Sequence, residues 1–298
     1  MNWLRQNNQL IIRLAGSLLA IVLLGMLLRG ENGAEFLSAL QRISFSYFLL
    51  AILSLFVSRV CTAWRWHVLL KSADIQISFL QTMRLTFMGL FASNFLPTTI
   101  GGDVARLGAA IQLGYDRAII LASLVVDRLV GMAGMIFTLP FGIGPALAIK
   151  SAGLQSFALT SFYQKITRFI KNTLSAFQIW LKKPYALFSS LMATFGNMAF
   201  IFLTIYILII GLDRFVSYWL IAGIWGLTYF VTLIPISING FGLQELSVTF
   251  LLVEVGGLTH AESLTIAVLI RAVFLITSLP GAFSFPTFSD ITKQNINN

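Results

Sequence analysis

Residues 94–106 read Asn94-Phe95-Leu96-Pro97-Thr98-Thr99-Ile100-Gly101-Gly102-Asp103-Val104-Ala105-Arg106, and residues 235–245 read Pro235-Ile236-Ser237-Ile238-Asn239-Gly240-Phe241-Gly242-Leu243-Gln244-Glu245. Each follows an apolar run, and both contain Pro-x-[Ser/Thr]-Ile-[Gly/Asn]-Gly, with Pro235 lying 138 residues after Pro97. The same offset lays 45–63 approximately on 186–210, 79–96 on 215–235 and 117–140 on 263–285. Proline and paired glycines interrupt helices. Interrupted backbone at membrane depth is tolerated only where protein packs it or it lines a wet cavity. The stretches 97–116 and 236–257 therefore read as re-entrant hairpins, each ending in a half-helix. The halves, approximately 45–140 and 186–285, read as inverted copies with a binding site between them.

Composition agrees with a membrane setting. Of 298 residues, 57% are hydrophobic and 10% are charged, against roughly 45–50% and about 25% in a soluble domain. A surface with so few charges must face something other than water, which excludes a cytosolic enzyme, a disulfide scaffold and a disordered chain. The single cysteine, Cys61, excludes an internal disulfide and a cysteine metal cluster. A span needs about 20 apolar residues, which places long spans near 9–28, 45–63, 79–96, 117–140, 186–210, 215–235 and 263–285. The first is too long for a signal-peptide core and lacks a cleavage site, so it is expected to stay as a helix. The fold class expected is an all-α polytopic membrane protein. It has seven to eight transmembrane helices plus the two hairpins, in one transmembrane domain, 1–298.

Segment 150–185 carries Lys150, Lys165, Arg168, Lys171, Lys182 and Lys183 without an acid, interleaved with apolar residues at helical spacing. It reads as an interfacial helix whose cations meet anionic lipid headgroups. With the N-terminus in the cytoplasm this segment falls inside, as the positive-inside rule requires. Nucleic acid is not an expected partner, because these cations alternate with membrane anchors. A homo-oligomer is compatible with the sequence.

The remaining charges are the candidate site. Ionisable residues at membrane depth are costly and mark function. Asp127 and Arg128 lie in the middle of one span and Arg271 well inside another. Asp103 stands where an N-cap would, and a three-residue step puts Arg106 on its face. Asn94, Pro97, Gly101 and Gly102 shape the first break; Pro235, Asn239, Gly240, Gly242 and Glu245 shape the second. A half-helix N-terminus with Arg106, Arg128 and Arg271 would suit a phosphate, which guanidinium binds in a bidentate manner. Asp127 and Glu245 would hold the arginines, meet a cationic headgroup or carry protons. Adjacent helical residues diverge by about 100°, so Asp127 and Arg128 are expected to pair with other helices. Arg59, Arg65 and Arg84, nearer span ends, are expected to snorkel. No metal site, cofactor or ATP-binding loop is expected.

The two quoted runs, with Asp127-Arg128, resemble the lysylphosphatidylglycerol synthase transmembrane-region family of flippase-like membrane proteins. The resemblance covers roughly residues 10–285. It implies translocation or handling of a lipid, the activity of the flippase half of enzymes that aminoacylate phosphatidylglycerol. With no soluble domain after residue 285, aminoacyl transfer is not expected, nor is any other enzyme activity. The leading expectation is an inner-membrane translocase for an anionic or modified phospholipid or an isoprenoid-phosphate lipid. A secondary transporter of a small anion stays open. So does a membrane enzyme acting on polyprenyl phosphates, for which Asp103 and Asp127 are the candidate carboxylate pair.

Overall fold

The computed structural model describes residues 31–96, 100–147, 183–233 and 238–284. The expected span 9–28, Pro97, Pro235 and nearly all of the basic segment 150–185 lie outside them. Among the described residues every regular element is helical. The ten α-helices are α1 (Glu31–Arg42), α2 (Phe45–Ser72), α3 (Phe79–Ser93), α4 (Gly101–Gln112), α5 (Arg117–Ile136), α6 (Leu139–Leu147), α7 (Pro184–Ile210), α8 (Tyr218–Thr232), α9 (Leu243–Glu254) and α10 (His260–Ser278). A 3-10 segment, Leu279–Ser284, continues α10.

Four helical stretches are long and apolar enough to cross a membrane: Phe45–Ser72, Arg117–Ile136, Pro184–Ile210 and His260–Ser284. The boundaries differ from the hydropathy reading in ways that matter. The first described span does not stop at 63 but continues to Ser72. Arg59 and Arg65 therefore sit well inside a helix instead of near its end. The stretches 79–96 and 215–235 shorten to helices of 15 residues each, which rise only about 22 Å. The stretch 117–140 breaks after Ile136, and α6 begins at Leu139.

The antiparallel pair α2–α7 is the spine. Its seam is a ladder of small polar residues: the Ser54 hydroxyl donates to the Phe200 carbonyl at 2.9 Å and the Ser58 hydroxyl to Asn197 Oδ1 at 2.6 Å. At one end, Lys183 reaches the Ser72 carbonyl and Asp74. At the other, Gly211 lies against Tyr47. The outward side of α2 carries Leu49, Leu50, Leu53, Phe56 and Val57, all exposed, an apolar stripe suited to lipid.

Two helical hairpins pack on this spine, and they differ from those expected within 97–116 and 236–257: each of these stretches holds one α-helix, α4 or α9, which packs on the helix preceding its break. In the first, α3 runs in and α4 returns, and the Tyr115 hydroxyl after α4 donates to Gln81 at 3.2 Å near the start of α3. In the second, α8 runs in and α9 returns. Glu262, at the start of the following α10, accepts from Arg214, which precedes α8, at 2.9 Å. The base of the first hairpin lies by the C-terminal end of α2, and that of the second by the C-terminal end of α7.

Close backbone approach fixes several of these contacts. A Cβ at Gly102 would stand 2.5 Å from the Gly89 carbonyl oxygen, and one at Gly223 would stand 2.2 Å from the Gly142 nitrogen. Neither obstacle is a flexible side chain, so backbone would have to move. Gly223→Val should therefore destabilise the α6–α8 contact by about 3 kcal/mol, the upper part of the usual overpacking range. Thermal unfolding of the detergent-solubilised protein reads this out, and a melting temperature equal to that of the parent would contradict it.

Candidate functional site

The tips of both hairpins open into one cavity of about 360 Å³. At the first tip, α3 ends at Ser93 and α4 begins with Gly101 and Gly102. These glycines serve space instead of unusual torsions: Gly102 presses on Gly89, and Gly101 has Leu96 where a side chain would go. At the second tip, the requirement is conformational. Asn239, Gly240 and Gly242 have φ of 46°, 73° and 78°, which asparagine tolerates and glycine adopts freely.

Asp103 is not an N-cap. Ile100 holds that position and Asp103 is the third residue of α4, because the two glycines themselves enter the helix against α3. Glu245 is likewise the third residue of α9, where its Oε2 accepts from the Gly242 N–H at 2.6 Å. Each acid then meets an arginine from the middle of the following long helix: Arg128 donates to Asp103, and Arg271 donates to Glu245. The two pairings are 25 and 26 residues apart in sequence. Arg271 also lies over the ring of Phe241, 4.3 Å from its centroid.

The first half carries a longer chain of alternating charge. Arg65 grips Asp127 with two bonds, at 2.7 and 3.2 Å, and Arg106 joins Asp127 to Asp103 at 3.4 and 3.2 Å. Arg128 completes the series beyond Asp103. Asp127 and Arg128 thus pair with other helices, as their angular separation requires. Gly131 gives Arg65 room, since a Cβ there would lie 3.0 Å from Nη1. Arg106 stacks 3.9 Å from the Trp66 ring centroid, a contact that strengthens when water is excluded. Its Nε and Nη2 are buried without a hydrogen-bond partner among the described residues.

Of the residues expected at a site, Asn94, Asp103, Arg106, Asp127, Arg128, Asn239, Gly240 and Arg271 line the cavity. Asn94 also ties the first tip to α10 through a 2.8 Å bond to Ser278. Gly101, Gly102, Gly242 and Glu245 stand behind the wall as supports, and Pro97 and Pro235 lie outside the described residues. Two arginines expected to snorkel belong to the wall instead: Arg59 is 9% exposed and Arg65 is 8% exposed. Their position in α2 was the missed signal, because the helix continues past them. Arg84 is exposed. Asn197 and Thr228, also on the wall, carry no sequence signal, being ordinary polar residues in long apolar runs.

The lysylphosphatidylglycerol synthase TM region family matches residues 11–281. The chain belongs to that family. It is also similar to a UPF0104 membrane protein of Pyrococcus horikoshii, 26% identical over 117 residues. That match covers 38% of this chain and 34% of the relative, so it spans about a third of each. Family and helices together make this a membrane protein of a lipid-related family.

Asp127 is the carboxylate on which two buried arginines depend. Removing one partner of a buried ion pair strands the other charge, at a cost of about 3–5 kcal/mol. Asp127→Ala should destabilise the protein by that amount, and the added change Arg65→Met should recover part of it. Denaturant unfolding of the two variants in detergent would reveal this, and equal loss in both would refute the coupling.

Proposed function

We propose that this protein is an inner-membrane lipid translocase that accepts the anionic headgroup of a phospholipid or isoprenoid-phosphate lipid in the cavity while the acyl chains stay in the bilayer. One observation carries the reading. Five arginines line the cavity, Arg59, Arg65, Arg106, Arg128 and Arg271, and three carboxylates, Asp103, Asp127 and Glu245, meet four of them. The balance is two net positive charges at the meeting of two broken hairpins. A volume of about 360 Å³ is of headgroup size, within the usual range of ligand pockets.

The hairpins also support an inverted repeat. Their bases lie at opposite ends of the antiparallel α2–α7 pair, and α2 and α7 are themselves the elements that the sequence offset relates. Short helices that turn back at a Pro/Gly break fit re-entrant segments, since α4 and α9, at 12 residues each, rise only about 18 Å. In this reading the N-terminus is cytoplasmic and the segment 150–185 rests on anionic headgroups.

Arg128 is the most open of the paired arginines on the cavity wall, with 35% of its side chain exposed, and it would meet the headgroup. Asp127 and Glu245 accept from arginines, so their part is to aim guanidinium groups. A hydrogen bond to a charged group is worth roughly 1.5–3 kcal/mol, or about tenfold to a hundredfold. Arg128→Ala should slow the movement of a fluorescent phosphatidylglycerol in reconstituted vesicles by that factor while eluting as a folded protein. Glu245→Ala should slow it through Arg271. Unchanged lipid movement in both variants would remove the site, and uptake of a small anion without lipid movement would favour a solute transporter.

A further inference from the structure

Four of the five cavity arginines have a carboxylate partner; among the described residues Arg59 has none. Its guanidinium lies 4.4 Å from the centroid of Phe274, and its Nε is buried with no hydrogen-bond partner. No ion pair or hydrogen bond reaches it from any described residue. It is nonetheless nine-tenths buried and lines the cavity. A buried cation in this position is costly unless something supplies the opposite charge. The neighbouring donors point to what that is. Asn197 Oδ1 already accepts from Ser58 and Thr62, at 2.6 and 3.0 Å. Its Nδ2 has no acceptor among the described residues, and Asn197 lines the same cavity. Thr228 adds a buried hydroxyl there that has no partner among the described residues.

We propose that Arg59, with the Asn197 amide, forms an anion subsite that takes one phosphoryl group, so that the ligand itself provides the missing counter-charge. This rests on the translocase reading for the identity of the cargo, but the subsite stands on its own chemistry. Arg65, Arg106, Arg128 and Arg271 are each held by a carboxylate, whereas Arg59 lies against an aromatic face. Its charge is therefore left for an incoming anion, beside the one surplus charge of the Arg65–Arg128 series. A planar guanidinium presents two parallel N–H donors to a phosphate, which a lysine ammonium cannot do.

The test uses the full-length protein, delipidated in detergent, and reads its melting temperature with added inorganic phosphate or with mixed micelles containing phosphatidylglycerol. Micelles containing diacylglycerol, which lacks phosphate, are the control. The wild type should be stabilised by a phosphate-bearing additive and not by the control. Arg59→Met keeps the apolar stem and removes the charge. It should melt above the ligand-free wild type and lose the response, with affinity reduced about tenfold or more. A response to the lipid alone assigns the subsite to a headgroup; an equal response to inorganic phosphate assigns it to the free anion. An Arg59→Met protein that responds like the wild type overturns the proposal, as does a wild type that responds to neither additive. Should Arg59→Met fail to fold, Arg59→Lys decides: weakened phosphate binding supports the bidentate subsite, and undiminished binding overturns it. If the wild type moves phosphatidylglycerol and Arg59→Met binds it undiminished, the translocase stands and this subsite falls. If phosphate binds through Arg59 but no lipid moves, the reverse holds.

Discussion

A guanidinium or carboxylate at the depth of a hydrocarbon core costs several kcal/mol unless opposite charge and hydrogen-bond partners surround it. Most of the interior follows from that constraint. Arg65, Asp127, Arg106, Asp103 and Arg128 form an alternating series in which each carboxylate lies between two cations. The series draws together α2, α4 and α5. Arg271 and Glu245 do the same for α9 and α10. Because each of these helices contributes a charge that another must neutralise, their relative positions are tightly specified, and the space among them becomes a polar cavity.

The two interrupted hairpins meet the same requirement in different ways. In the first, Gly89 and Gly102 let two backbones touch, and that approach sets Arg106 over Trp66. In the second, the run Asn239-Gly240-Phe241-Gly242 supplies the positive torsions of a tight turn, and the turn presents the Gly242 N–H to Glu245 and the Phe241 ring to Arg271. Similar sequence motifs thus place an acid at the third position of a short helix by separate routes. The likeness lies in the charge arrangement more than in the backbone.

Much of this was legible in order of residues. Hydropathy located every described long helix, the Pro/Gly motifs marked the breaks before α4 and α9 though not which helices pair across them, and the scarcity of charge singled out Arg106, Asp127, Arg128, Glu245 and Arg271. Arg59 and Arg65 were not legible, since a falling hydropathy near Trp64-Arg65-Trp66 resembles the end of a span although the helix runs on to Ser72. Asn197 carried no mark at all, because a polar amide in a long helix gains meaning only from the hydroxyls opposite it.

By itself the sequence determined which segments are apolar enough to span, where the two Pro/Gly motifs break the backbone and that several charges enter the interior, for these depend on composition over a few neighbouring residues. Only the tertiary structure decided which charges meet. Arg65 and Asp127 are 62 residues apart, and Glu245 and Arg271 are 26 apart, so their pairing depends on how the helices pack. The same holds for Arg59, which has no carboxylate partner among the described residues, where Asp103, Asp127 and Glu245 are bonded to other arginines.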